Sequence, residues 1–363
     1  MNKTNIKKKR VHLWGVIIVM ILTIGLAASA VAQSAVTEVV GGLHSPRGLA
    51  FGPGGQLFVA QSGDATADGS IIEILSPMAT RPRVRTIVSG LPVVVNDGQY
   101  SSVDGISIFG NGRNFGLYAI MAADPQQTGD NRFGNLLRVN YRGSVETIVN
   151  VGEFDYDWTD EHQWLYPPDF PEANPYGVLV VPGHTYVVDA AANTLNEVMP
   201  DHSIRVLAYF PNELIRDAVP TCACQGPDGF LYIGTLALVD SLVLGPSAKV
   251  YRLNAADANL EEPWNTPMTQ WASGLWPING CTFGPDGNFY ASQLFTNAAG
   301  FPFDSQGDVV KVPFNDPGTH TFLTGGALSN TGGVAVGPNG VVYVADGTAF
   351  VPPGAGRIVR ISP

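Results

Sequence analysis

Short runs of alternating apolar and polar residues, separated by turn residues, recur along the chain. A turn phrase rich in Gly and Pro is found six times, at residues 52–55, 110–112, 182–183, 226–229, 284–287 and 337–340. Glycine adopts positive φ freely and proline presets φ at about −65°, so each phrase is typical of a tight turn. Each joins two strand-like runs, such as residues 47–51 and 56–61. The pattern predicts six antiparallel hairpins.

Two more strand-like runs follow each hairpin. Third strands are predicted at residues 70–75, 135–140, 194–199, 249–254, 308–313 and 357–362, and fourth strands at 85–91, 146–151, 205–210, 269–275 and 320–328. The sixth copy lacks a fourth strand, but residues 37–43 resemble residues 85–91 and can supply it. This arrangement predicts an all-β, six-bladed β-propeller whose ring is closed by an N-terminal strand.

The N-terminal residues predict export from the cytoplasm. Five basic residues precede an apolar run at residues 11–26, and small residues lead to Ala32. This order is typical of a secretory signal peptide, here residues 1–32, and the alternative is an uncleaved anchor. The apolar run is short for a bilayer core, which needs about 20 residues, so cleavage is favoured. We expect a secreted protein with residues 33–363 as one domain and no membrane contact after cleavage.

The charge of the chain argues against some partners. Loss of residues 1–32 removes five basic residues and no acidic ones, and takes the net charge from −11 to about −16. Such a surface repels phosphate backbones and anionic headgroups, so we expect no nucleic-acid partner. Solubility outside the cell explains the acidity equally well.

The strand order predicts where a ligand would bind. The start of each innermost strand and the end of each second strand open on the same face of the ring. Polar residues dominate both sets, and the predicted ligand-binding residues are Arg47, Asp104, Asn174, Tyr176, Asp189, Asn279, Gln293 and Asp346. One interpretation is a central funnel that binds a small ligand. The other is a solvated mouth whose polar groups satisfy loop backbone.

Carboxylate and amide oxygens also suit hard cations, so Ca²⁺ or Mg²⁺ could bind at Asp104 and Asp189. A long insertion at residues 152–173 is either a functional loop or a packed cover. Its acidic stretch, Asp155 to Glu161, lacks the spacing of a standard calcium loop, and we expect a solvated face.

The three cysteines predict one disulfide bond. Cys222 and Cys224 share one face of an innermost strand, while Cys281 has the opposite parity on the next innermost strand. Opposite parity is what a bond between two blades requires. In an oxidising compartment we expect Cys281 to pair with Cys222 or Cys224.

Several phrases resemble the ScyD/ScyE family of secreted propellers. They are residues 45–53 (SPRGLAFGP), 174–177 (NPYG), 187–190 (VVDA) with Asn193, and 219–221 (VPT) before the turn at 226–229 (GPDG). The resemblance spans essentially the whole chain after residue 32 and implies a six-bladed propeller of the broad NHL and gluconolactonase-like type. The family is named after gene clusters for scytonemin, an extracellular sunscreen pigment, and the resemblance does not imply that this chain makes the pigment.

The chain departs from related propellers at possible metal ligands. They often carry acids at the second-strand ends, where this sequence has Gln61, Thr235 and Gln293. Gluconolactonase-like enzymes use a Glu at the start of the first blade, where this chain has Ser45-Pro46-Arg47. A lactonase site is therefore not implied.

Two functional hypotheses follow. The first is a secreted binding or scaffolding propeller that holds a small molecule, a glycan or a partner protein at its funnel face. The second is a hydrolase or lactonase-like enzyme assisted by a divalent cation in the funnel. No recognisable catalytic motif surrounds the histidines, which favours the first hypothesis.

Overall fold

The computed structural model describes residues 35–96, 98–112, 115–165, 171–211 and 218–362. The predicted signal peptide, residues 1–32, lies outside the described residues. Within them, no helix is long and apolar enough to cross a membrane.

The chain is a six-bladed β-propeller, as the repeat predicts. Strand β1 (Ala35–Leu43) comes first, and four-stranded blades follow in chain order. Blade 1 contains β2 (Pro46–Phe51), β3 (Leu57–Gln61), β4 (Gly69–Leu75) and β5 (Arg83–Leu91). A small hairpin, β6 (Val94–Asn96) and β7 (Gln99–Ser101), leads to blade 2. Blade 2 contains β8 (Val103–Phe109), β9 (Gly116–Met121), β10 (Asn135–Val139) and β11 (Val145–Asn150).

The third and fourth blades follow the same order. Blade 3 contains β12 (Pro175–Val181), β13 (His184–Asp189), β14 (Thr194–Val198) and β15 (Ile204–Tyr209). Blade 4 contains β16 (Pro220–Gln225), β17 (Leu231–Thr235), β18 (Ala248–Leu253) and β19 (Met268–Leu275).

The last sheet combines the two ends of the described chain. Blade 5 contains β20 (Ile278–Phe283), β21 (Phe289–Gln293), β22 (Asp308–Val312) and β23 (Thr321–Phe322). Blade 6 contains β24 (Val334–Val336), β25 (Val342–Asp346) and β26 (Gly356–Ser362). Its outermost strand is β1, which pairs antiparallel with β26, so that Ala35 lies opposite Ser362.

One predicted strand is much shorter than expected. A fourth strand was expected in blade 5 at residues 320–328, but β23 has two residues. The reason is the carboxylate of Asp308, which accepts the backbone N–H groups of Thr324 and Gly326, each at 2.8 Å. These bonds take the place of strand pairing at residues 324–326, and the chain pairs again at Leu328, through an isolated bridge to Gly307.

Short helices occupy the longer loops. They are α1 (Pro125–Thr128), α2 (Val151–Glu161) and α3 (Leu238–Leu244), with 3-10 turns at Gln163–Leu165, Ala255–Asp257, Pro263–Asn265 and Ala298–Gly300. Helix α2 begins where the side chain of Asn150 accepts the N–H of Glu153 at 2.9 Å.

The expectation of a solvated face at Asp155 to Glu161 is wrong for two of its residues. This stretch belongs to α2, and Asp155 and Thr159 are buried while Asp157, Asp160 and Glu161 are exposed. Asp155 accepts hydrogen bonds from Thr194 (3.2 Å) and Asn196 (2.7 Å) of blade 3. One face of the helix therefore covers the blade.

The apolar core lies between the blades. Six clusters of buried residues each join two neighbouring blades, for example Phe58 and Ile71 of blade 1 with Leu117 and Val139 of blade 2. Each blade thus buries both of its faces, and the innermost strands are left around a central channel.

Candidate functional site

The central channel is lined by all six innermost strands and encloses a cavity of about 340 Å³. Each innermost strand pairs with one neighbour in its sheet, so its other edge is free of strand pairing. Unpaired strand edges present backbone N–H and C=O groups. The channel wall is therefore polar even where its side chains are apolar.

Five polar side chains from five blades meet at one end of this channel. Each is the second residue of its innermost strand, and we call the set the mouth ring: Arg47, Asp104, Tyr176, Thr221 and Asn279. Blade 6 has a glycine at the matching position, which lies before β24 begins at Val334. The repeat thus places one residue per blade at the same height along the channel.

Hydrogen bonds of the mouth ring cross from blade to blade. Tyr176 of blade 3 donates to Asn279 Oδ1 of blade 5 at 2.7 Å. Asn279 donates to the carbonyl of Thr331, before blade 6, at 2.8 Å. Thr221 of blade 4 donates to the carbonyl of Ile278 at 2.7 Å. The ring is therefore fixed in place by contacts between blades.

A buried charge pair completes the ring. Arg47 Nε lies 4.0 Å from Asp104 Oδ1, and Arg47 Nη2 donates to the carbonyl of Tyr100 at 3.1 Å. Ser62 donates to Asp104. Among the described residues, Arg47 Nε has no hydrogen-bond partner although it is buried. A buried donor without a partner can donate a hydrogen bond to a ligand oxygen.

Burial changes the acidity of both groups. Burial raises the pKa of the Asp104 carboxyl, and Arg47 and Ser62 offset this only in part. For Arg47, burial acts to lower the pKa, but Tyr176 and Asp104 outweigh it and raise the pKa above the ordinary value. Arg47 therefore stays a cation, and the carboxyl group beside it has a pKa above the ordinary value.

The other predicted binding residues lie elsewhere. Asn174, Asp189, Gln293 and Asp346 are not among the described residues that line the channel. Asp346 accepts the N–H of Ser329 at 2.6 Å and pairs with Arg357 at 2.7 Å. Gln293 donates to the carbonyl of Trp276 at 3.5 Å. Asn174 Oδ1 accepts the N–H of Ala123, after the second strand of blade 2, at 3.0 Å, whereas the other three side chains hold the loops of their own blades.

Gln61 and Thr235 do the same at their second-strand ends. Gln61 accepts the N–H of His44 at 2.9 Å, and Thr235 exchanges hydrogen bonds with the backbone of Lys249. We call these five second-strand ends the capping positions: Gln61, Asp189, Thr235, Gln293 and Asp346.

Asp189 is the most buried of these acids. Its Oδ1 accepts backbone N–H groups from Asn174 (2.8 Å), Ala191 (2.9 Å) and Ala192 (2.8 Å). Asp155 is a neighbour of this carboxyl group. Burial and the neighbouring Asp189 raise the pKa of Asp155 well above its usual range.

This placement separates the two acids considered for a cation. Asp104 lines the channel, whereas Asp189 is buried under the loop between β13 and β14. In the described part of the chain, no group of three or more His, Cys, Asp or Glu side chains could hold a metal ion.

A ring of small residues lies directly after the mouth ring. It contains Gly48, Gly105, Gly177, Cys222, Gly280 and Gly333. A Cβ on Gly105 would lie 2.4 Å from the carbonyl oxygen of Tyr176. At the five glycine positions the backbones of neighbouring innermost strands therefore approach too closely for a side chain.

The exception in this ring is covalently linked to the next blade. Cys222 stands where five blades have glycine, and it forms a disulfide bond with Cys281 of blade 5. Cys224 is a free, buried thiol whose pKa burial raises. The sequence analysis did not decide between Cys222 and Cys224 as the partner of Cys281.

Sequence reasoning missed residues that support the mouth ring from outside the strands of the six blades. Ser62, Tyr100 and Thr331 bond to Asp104, Arg47 and Asn279, yet they lie in the connections between blade strands, where no phrase is repeated. The ring of small residues, in contrast, is visible in the repeat as a glycine at the matching position of five of the six copies.

No family model and no curated protein matches the chain. Solved propellers are similar to it over most of its length. A putative oxidoreductase (glucose dehydrogenase) from Thermus thermophilus has 17% identity and a TM-score of 0.55, with 90% of this chain and 99% of that chain covered. The PQQ-bound aldose sugar dehydrogenase from Streptomyces coelicolor has 14% identity and a TM-score of 0.53, with 91% and 98% covered.

A luciferin-regenerating enzyme is similar to the same extent. It has 12% identity and a TM-score of 0.54, with 91% of this chain and 95% of that chain covered. Identities this low show a shared fold and leave function to the residues of the site.

Proposed function

We propose that this protein is a secreted propeller of the ScyD/ScyE type that binds a small polar molecule at the mouth ring. The observation that carries the proposal is the convergence of five polar side chains from five blades on one end of a 340 Å³ channel. Export is supported by the signal-like N-terminus and is compatible with the Cys222–Cys281 disulfide. Family membership is supported by the phrases around Arg47, Tyr176, Asp189 and Thr221.

The chemistry of the ring favours a neutral, hydroxyl-rich ligand. Arg47 and Asp104 form a close pair, while Thr221, Tyr176 and Asn279 supply hydroxyl and amide groups. Together they offer donors and acceptors without a dominant charge. Sugars and other polyols carry both kinds of group, whereas a strongly charged ligand would meet a like charge in the ring.

A thermal-shift and calorimetric screen of monosaccharides, polyols and sugar lactones tests this proposal. We expect at least one compound to raise the melting temperature of the wild type. Arg47→Ala should abolish the shift, because it removes the guanidinium. Thr282→Ala is the matched control, since Thr282 lines the same channel outside the mouth ring.

Two outcomes would contradict the proposal. One is that no compound binds the wild type, and the other is that binding survives in Arg47→Ala. Turnover of a lactone that Asp104→Asn abolishes would instead favour the hydrolase hypothesis.

A further inference from the structure

Blades 1 and 3 carry the same acid–base pair at their outer strands. In blade 1, Glu73 lies opposite Arg85, and in blade 3, Glu197 lies opposite Arg205. The ion pairs have N–O distances of 2.8 Å and 2.6 Å. Both glutamates are buried, at 0% and 3% exposure. A buried carboxylate of this kind needs further polar or aromatic cover.

In blade 1 that cover comes from two aromatic residues of blade 2. Tyr141 donates its hydroxyl to Glu73 Oε1 at 2.9 Å, and the Arg85 guanidinium lies 4.2 Å from the centre of its ring. Phe115 packs between Tyr141 and Phe58, with ring centres 5.6 Å and 5.7 Å away. The interface between blades 1 and 2 is thus filled by a phenol and a phenyl ring.

Blade 4 lacks both rings. The pairs Leu117–Val139 in blade 2 and Leu231–Leu253 in blade 4 occupy the same register position. Counting from them, Gly229 replaces Phe115 and Ala255 replaces Tyr141. Gly229 has a φ of +82°, which an aromatic residue would rarely adopt.

A cavity of about 460 Å³ lies where the two rings are missing. Its lining includes Gly229, Ala255, Tyr186, Glu197, Arg205 and His184. His184 Nδ1 lies 2.5 Å from Glu197 Oε1, and its ring is parallel to that of Tyr186, with 5.8 Å between ring centres. The buried acid and the guanidinium are therefore present without the tyrosine that covers them in blade 1.

We propose that the cavity between blades 3 and 4 binds a small phenol in the way that the interface between blades 1 and 2 binds the side chain of Tyr141. The ligand ring would lie against the Arg205 guanidinium, a cation–π contact. Its hydroxyl would donate to Glu197, whose carboxylate oxygens can each accept a second hydrogen bond. Glu197 would repel an aromatic carboxylate, so the site selects the uncharged phenol.

The neighbouring cavity between blades 2 and 3 provides a contrast. It encloses about 300 Å³ and also borders His184. In the third strand of blade 2, however, Arg138 takes the place of the glutamate, and its partner Glu146 is exposed. Without a buried acceptor, this cavity should not hold a phenol.

This second site is independent of the mouth ring. His184 begins β13, whereas the mouth ring lies at the end of the blade where β13 finishes. If binding at one site is disproved, the proposal for the other site still stands, because the variants that test the two sites share no residue.

Calorimetric titration with 4-methylphenol, which reproduces the tyrosine side chain, tests the inference. We expect the wild type to bind one equivalent, and toluene, which lacks the hydroxyl, to bind at least tenfold more weakly. Ala255→Tyr should abolish binding of 4-methylphenol, since the new ring fills the cavity. Glu197→Gln should weaken binding about tenfold, through loss of the charged acceptor.

The interface between blades 1 and 2 supplies a second test, in which the tyrosine is removed. Tyr141→Ala should lower the melting temperature, and 4-methylphenol should raise it again by more than it raises that of the wild type. Equal affinity of the wild type and Ala255→Tyr, or no binding by the wild type, would overturn the inference. A folded Ala255→Tyr protein, checked by circular dichroism, excludes misfolding as the cause of lost binding.

Discussion

The mouth ring and the capping positions are both sets of polar, buried strand-end residues, but their hydrogen bonds go in different directions. Mouth-ring side chains bond across blades, as Tyr176 does to Asn279. Capping side chains bond within their own blade, as Asp189 does to Ala191 and Ala192. Residue type alone does not separate the two sets, whereas the direction of their hydrogen bonds does.

This contrast gives each set a different expected phenotype. Substitution at a capping position should lower the free energy of unfolding and leave binding intact. Substitution in the mouth ring should remove binding at a small loss of stability.

The largest effect should come from Asp189→Ala. Three backbone N–H groups lose their acceptor, and an unsatisfied buried donor costs about 1 to 3 kcal/mol. We expect the free energy of unfolding to fall by about 4 kcal/mol, measured by urea denaturation. Thr221→Val in the mouth ring should cost at most about 1 kcal/mol. Equal losses of unfolding free energy in the two variants would contradict the distinction between the mouth ring and the capping positions.

The next effect concerns the one covalent link among the innermost strands. Replacing both Cys222 and Cys281 by Ala removes a bridge that closes a loop of 59 residues. Such bridges typically contribute about 2 to 4 kcal/mol, and we expect a loss of about 3 kcal/mol in non-reducing urea denaturation. Cys224→Ala serves as the control, with a loss of about 1 kcal/mol from its small cavity. A double variant as stable as the control would refute a structural role for the bridge.

A smaller effect should appear in the pH dependence of stability. Burial and Asp189 raise the pKa of Asp155, so the folded protein keeps a proton that the unfolded chain releases above pH about 4. The stabilisation from this proton is complete below that pH and is lost as the pH rises through the folded-state pKa. Asp155→Asn removes the Asp155 carboxyl, so a smaller pH dependence should remain, from Asp189, whose pKa burial raises to about 6.

Urea denaturation at several pH values checks this expectation. Between about pH 5 and 8 the wild type should lose about 1 kcal/mol more than Asp155→Asn, since one pKa unit corresponds to about 1.4 kcal/mol. Parallel pH profiles for the two proteins would show that Asp155 does not contribute to the pH dependence of stability.

Much of the fold could be predicted from the sequence, because a propeller repeats its local signals. Turn phrases and alternating strands fix the hairpins, and the repeat then fixes which residue of each blade reaches the channel, as with Arg47 and Asn279. The short β23 was not predictable in this way. Asp308 ends the strand through bonds to residues 16 to 18 positions later, and a repeat pattern carries no record of such bonds.

The limits of sequence-based prediction at the candidate site have the same physical origin. Asp155 looked like part of a solvated acidic stretch, but it is buried through partners about 40 residues away, Thr194 and Asn196. Gln293 and Asp346 were predicted to bind a ligand, and their side chains bond within blades 5 and 6; loop-capping side chains and ligand-binding side chains have the same chemistry. The local sequence gives the type of each residue, whereas its role depends on hydrogen-bond partners that are distant in the sequence.

One pair of variants within blade 5 tests the central claim most directly. Asn279 and Gln293 are both buried amides on adjacent strands, yet Asn279 belongs to the mouth ring and Gln293 to the capping positions. The measurement is calorimetric titration of Asn279→Ala and Gln293→Ala with the tightest compound from the screen. We expect Asn279→Ala to bind at least tenfold more weakly and Gln293→Ala to bind like the wild type. Equal binding by the two variants, or loss only in Gln293→Ala, would contradict a ligand site at the mouth ring.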